Sequence, residues 1–134
     1  MDPTIRSALV LLAGVVVAVV VVILMDTLVS SLYSLPPGTD LNDQHSMRTA
    51  LAAMPTAAFV LLVTGWALAA AAGAYIAARL ATRSAALHGL IVAGFVLIAT
   101  VGNLAAIPHP VWLWPAAIVL IPLAGWVSTR LARA

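Results

Sequence analysis

The chain is predicted to be all-α: a four-helix bundle embedded in a membrane, threaded up-down-up-down, with both termini cytoplasmic. Three observations predict this. Hydrophobic residues make up 64% of the 134 residues and charged ones only 7%, against about 25% charged in a soluble domain, and the mean hydropathy is +1.16. The apolar residues fall into four long runs that are almost free of charge; lipid cannot solvate a bare backbone, so such runs cross as helices. Five of the six arginines (Arg6, Arg79, Arg83, Arg130 and Arg133) stand at run ends that alternate threading gathers on one face, with Arg48 alone opposite. The positive-inside bias then places both termini in the cytoplasm, and an inner (cytoplasmic) membrane of bacterial type is the expected location.

The first span is expected over about 5–33. Pro3 suits a first helical turn, the valine-rich stretch 15–22 is held helical by the bilayer's demand for internal hydrogen bonds, and Pro36, Pro37 and Gly38 stop it. Its apolar stretch 7–25 exceeds the roughly 7–15 residues of a signal-peptide core and is followed by Asp26, Thr27 and Leu28, not by a small-residue cleavage site. A retained span is therefore expected.

Residues 34–55 form the outer loop. Asp40 is placed to cap a short interfacial helix, with Asp43 in its first turn and Met47, Leu51 and Met54 on one face. Pro55 then either separates that helix from the second span or kinks a single longer one. The second span, about 56–82, carries Gly65, Ala69, Gly73, Ala77 and Ala81 at every fourth position. Such a helix-packing seam admits close approach of another helix, within one protomer or between two. Arg83 and Ser84 make a tight turn into the third span, about 85–107. Pro108, His109 and Pro110 make another into the fourth, about 111–129, where Pro122 predicts a kink. Connections this short imply antiparallel neighbours. Trp112 and Trp114 fall at the outer interface and Trp126 and Tyr75 near the inner one, as the charge rule requires. The whole chain, 1–134, reads as one transmembrane domain.

Zero cysteine excludes disulfides, thiolate metal sites and thiol redox chemistry. Lys and Glu are absent, and no basic cluster with interleaved aromatics points to nucleic acid. Asp26 is the residue of most interest. It lies 20 residues beyond Arg6, a rise of about 30 Å, which puts it toward the outer boundary of the hydrocarbon. Ser30 and Tyr33 share its face, with Thr27, Ser31 and Ser34 as an adjoining stripe. Asn103 reaches a similar depth on the third span, about 27 Å above Ala85. A polar cluster of Asp26, Ser30, Asn103 and Arg48 is thus a candidate. It reads either as interhelical glue, as a cation or proton site in an outward vestibule, or as an Asp solvated among headgroups.

His45, His88 and His109 are spread over both membrane sides, which does not suit opposed haem or metal ligands. Trp66, near mid-span, reads as core packing with an indole N–H in need of a partner. No phosphate loop, nucleophile–base pair or paired carboxylate occurs. The expectation is therefore no catalytic residue, no cofactor and no metal. In length and span number the chain is similar to small multidrug transporters and to fluoride channels. It has no Glu, the residue that the first family embeds in its first span, and it lacks the Asn/Phe pore pattern and the Gly-rich segment before an Arg of the second. No residue role is carried over from either. The reading expected from sequence is a non-enzymatic integral membrane protein whose partners are the lipid bilayer and other helices. It would act as a homo-oligomer or as an accessory subunit. The alternative is a small oligomeric transporter or channel using Asp26.

Overall fold

A computed structural model describes all 134 residues. The chain is helical throughout, in the order α1 (Pro3–Leu32), α2 (Gln44–Ala52), α3 (Thr56–Leu80), α4 (Ala85–Ala106) and α5 (Leu113–Arg133). Four of these helices, all but α2, are long and apolar enough to cross a membrane. The protein is accordingly described as a small four-span membrane protein.

Local chemistry explains the helix ends. Asp2 caps α1, its carboxylate accepting the Thr4 amide at 2.7 Å, with Pro3 in the first turn. At α2 the cap is Asp43 and not Asp40: Asp43 accepts the Ser46 amide at 3.1 Å, whereas Asp40 closes a local turn by accepting the Asn42 amide at 2.9 Å. The helix therefore starts three residues later than a cap at Asp40 would start it. Pro55 is extended (φ −68°, ψ 149°), so α2 and α3 are two helices and not one kinked helix. α4 begins from Ser84 in the left-handed region (φ 48°), with no side-chain cap. α5 begins at Leu113, after a turn in which Leu113 and Trp114 bond back to Pro110 and Val111. It stays one continuous helix through Pro122 as far as Arg133.

α3 is the hub. It packs against α1, α4 and α5; α4 also touches α1 and α5, while α1 and α5 never meet. The four long helices thus sit at the corners of a rhombus whose short diagonal joins α3 and α4. Small residues make these approaches possible. A Cβ on Gly73 would lie 2.6 Å from the Gly14 carbonyl oxygen and 2.9 Å from the Ala18 Cβ; one on Gly14 would lie 2.8 Å from the Gly73 carbonyl oxygen. Across α3 and α5, Ser128 donates to the Ala71 carbonyl at 2.8 Å, and Gly125 lies hard against Ala93 of α4. The core formed this way is built largely from Ala, Val and Gly, with Phe59, Trp66, Leu104, Leu113 and Ile121 as its bulk.

Side-chain ties fix which ends meet. Ser7 of α1 bonds the Nε2 of His88 on α4, and Arg79 at the end of α3 donates to the Ala132 carbonyl of α5 at 3.3 Å. Near the other end, Gln44 of α2 donates to the Ala106 carbonyl of α4 at 3.0 Å.

Candidate functional site

Of the four polar residues singled out from sequence, the structure brings two together. Asp26 and Asn103 line one groove between α1 and α4, about 250 Å³ in volume, with Trp66 of α3 and Thr100 of α4 also in its wall. The rest of the lining is apolar, and Val19, Ile23 and Phe95 stand exposed where the groove opens at the bundle surface. Ser30 is exposed and takes no part in the lining: one helical turn beyond Asp26, it has passed the end of the groove. Arg48 is exposed on α2, outside the lining of the groove.

Val92 of α4 reaches Gly14 and Gly73. Phe95 and Ala99 on α4, Val22 and Asp26 on α1 and Trp66 on α3 line the groove. Trp66 is 5% exposed and is held edge-on to the His109 ring, with centroids 6.1 Å apart.

One carboxylate oxygen of Asp26, Oδ1, is buried and has no hydrogen-bond partner. Asn103 does not reach it, and neither do the neighbouring hydroxyls. Thr27 donates to its own helix at the Ile23 carbonyl (2.7 Å), and Ser31 donates to that of Thr27 (2.8 Å). Back-bonding of this kind satisfies a hydroxyl within its own turn, so the polar stripe of α1 is self-contained and leaves the aspartate alone. A buried carboxylate without donor or counter-charge is costly, whereas one that meets a cation or a hydrogen-bond donor is not. Chemically, the groove offers one negative or proton-bearing group in an apolar, aromatic-lined slot.

The seam on α3 lies elsewhere. Gly65, Ala69, Gly73 and Ala77 are buried and Ala81 is half-buried. Gly65 meets Met25 of α1 and Gly73 meets Gly14, so the seam faces α1 of the same chain. Sequence spacing alone left open whether its partner came from the same protomer.

The histidines have separate local roles. His88 has both ring nitrogens engaged, Nδ1 donating to the Ser84 carbonyl at 3.0 Å and Nε2 accepting from Ser7. His109, in the α4–α5 connection, donates from Nδ1 to the Ile107 carbonyl at 3.0 Å and packs edge-on to Phe59 as well as Trp66. Burial pushes its pKa below the usual imidazole value, and the bond to Ile107 partly opposes that. No three His, Asp or Glu side chains converge in a ligand-like group. Sequence reasoning overlooked Trp66 and Thr100 as groove residues; their period relative to Asp26 is invisible because they lie on other helices. No protein family, curated protein or solved structure matches this chain.

Proposed function

We propose that this is a non-enzymatic integral membrane protein of an inner (cytoplasmic) membrane that acts through helix association, either as a homo-oligomer or as an accessory subunit of a larger membrane complex. It is threaded up-down-up-down with both termini cytoplasmic. The Ser7–His88 and Arg79–Ala132 ties support that threading, because they gather Arg6, Arg79, Arg83, Arg130 and Arg133 at one end. Arg48 sits near the opposite end, with α2 tied to Ala106. Five arginines against one is the asymmetry that retains an end in the cytoplasm.

The observation that carries the association reading is the unpartnered Oδ1 of Asp26 beside a groove that opens at the bundle surface. A second membrane helix laid between α1 and α4, offering a donor or a cation, completes that polar group and fills the slot. The α3 seam is already occupied by α1, whereas the α1–α4 groove is open at the bundle surface for an external partner. The test is affinity isolation from membranes in mild detergent, followed by mass spectrometry. A stoichiometric membrane partner or a discrete homo-oligomer, weakened by Asp26→Leu, is expected. A monomer that retains nothing would sink the reading.

The same groove favours a second reading, a small transporter or channel for a cation, proton or small solute. Its volume of about 250 Å³ exceeds the roughly 150 Å³ that suffices to hold benzene, and its lining mixes Asp26, Asn103 and Thr100 with aromatic and aliphatic walls. Flux in proteoliposomes that disappears in Asp26→Asn supports it; flux unchanged by that substitution removes it.

A further inference from the structure

At the arginine-bearing end the bundle holds a second, more polar cavity, unconnected with Asp26. We propose that it is a binding site for the phosphate headgroup of an anionic phospholipid.

The cavity, about 660 Å³, lies between the start of α1 and the α3–α4 turn. Arg6, Arg83, Ser84 and His88 line it, with Val10 and Leu87 as its apolar side. Several features point to an anion. Arg6 comes from α1 and Arg83 from the α3–α4 turn, and their guanidiniums carry two positive charges with no acid in the lining. The acid nearest in sequence, Asp2, is committed to the Thr4 amide. Ser84, in the left-handed region, leaves α4 without a side-chain cap, so the first amides of a 22-residue helix are free at the same place. The walls are fixed by His88, which joins Ser7 of α1 to the Ser84 carbonyl with both ring nitrogens. That engagement makes His88 a strut of the cavity wall. Guanidinium forks match the oxygen geometry of phosphate.

The apolar side makes the occupant a lipid. Val10 and Leu87 form the apolar side of the cavity, and the neighbouring turns of α1 and α4 expose Leu9 and Ile91. An anion bound here therefore lies at headgroup depth with an apolar track leading inward for an acyl chain. Basic pockets between spans at the cytoplasmic side recognise anionic lipid headgroups on these grounds.

The test uses the intact chain in nanodiscs of phosphatidylglycerol or phosphatidylcholine, with retained lipid read by native mass spectrometry of the folded protein. Wild type should keep phosphatidylglycerol in preference to phosphatidylcholine. Arg6→Gln and Arg83→Gln should each lower that preference about five-fold, which corresponds to the roughly 1 kcal/mol that one Arg gains near anionic lipid. Arg130→Gln and Arg133→Gln each remove one charge from the same end but outside the cavity, and each should change the preference less than two-fold. An equal fall in all four variants would mean diffuse surface attraction and overturn the site. Inorganic phosphate added to phosphatidylcholine discs should not displace or replace the lipid; stabilisation by free phosphate alone would overturn the assignment to lipid.

Discussion

α1 is the most apolar of the four long helices and the least enclosed. Of its most apolar 18-residue stretch, 17% is buried, against 50% for α3. In water this ranking would be perverse, since burial follows apolarity. In a bilayer the tails solvate Val and Leu as well as a protein core does, so large aliphatics gain nothing by packing inward. Close van der Waals contact between backbones then decides what is inside. α3 supplies that contact with Gly65, Ala69, Ala70, Gly73, Ala74 and Ala77, all buried. α1 answers with only Val10, Gly14 and Ala18. Between α1 and α3, then, residue size and not hydrophobicity decides which helix is enclosed.

The sharpest way to break this comparison is to add bulk where α1 meets α3. Gly73→Val sets a Cβ 2.6 Å from the Gly14 carbonyl oxygen, a backbone atom that cannot swing aside. A loss of about 3 kcal/mol is expected, at the upper end for overpacking, read by unfolding in detergent micelles. Val16→Ala on the exposed face of α1 should change stability by no more than about 0.5 kcal/mol. Equal costs for the two would end the size argument.

Acidification probes the join between α3 and the α4–α5 connection. The fold holds His109 below its usual value of 6.5, so the folded state binds fewer protons there than the unfolded one. Stability from this group is complete above about 6.5 and declines as pH falls through that value toward the lower folded-state pKa. Wild type should therefore lose more stability than His109→Gln between pH 7.5 and 5.5. Parallel pH profiles would refute the assignment.

Smaller effects sharpen the picture. Ser128→Ala removes the bond to the Ala71 carbonyl and should cost about 0.6 kcal/mol, the average for interhelical hydrogen bonds in a membrane bundle. Gly94→Ala, where an added Cβ meets nothing within 4 Å, should shift the same unfolding midpoint least of all, by less than about 0.5 kcal/mol. A larger loss there than at Gly73 would reverse the ranking of the two faces.

The helices were legible because each depends on its own residues. Pro3, Pro36 with Pro37, Pro55 and the turn at Ser84 fall where the chain must start or stop, whereas the Asp2 cap showed only in the structure. The cap of α2 was misplaced because Asp40 and Asp43 are equivalent as residue types; the turn that Asp40 closes with Asn42 is what hands the cap to Asp43. The polar cluster was half legible. Asp26 and Asn103 share a depth that residue counting can measure, but rotation about each helix axis relative to the others decides who lines a groove. That rotation brought in Trp66 and Thr100 and left Ser30 and Arg48 outside.

Four apolar helices, a seam of small residues and a segregation of arginines follow from the order of residues alone. All three are one-dimensional properties, set by backbone hydrogen bonding in a solvent that supplies none and by residues counted along single helices. That α3 is the hub, that its seam is filled by α1 of the same chain, and that Asp26 keeps an oxygen without a partner emerge only in the packed bundle. Those depend on how the helices rotate and approach one another, and that is fixed by fit between surfaces whose residues lie far apart in the chain.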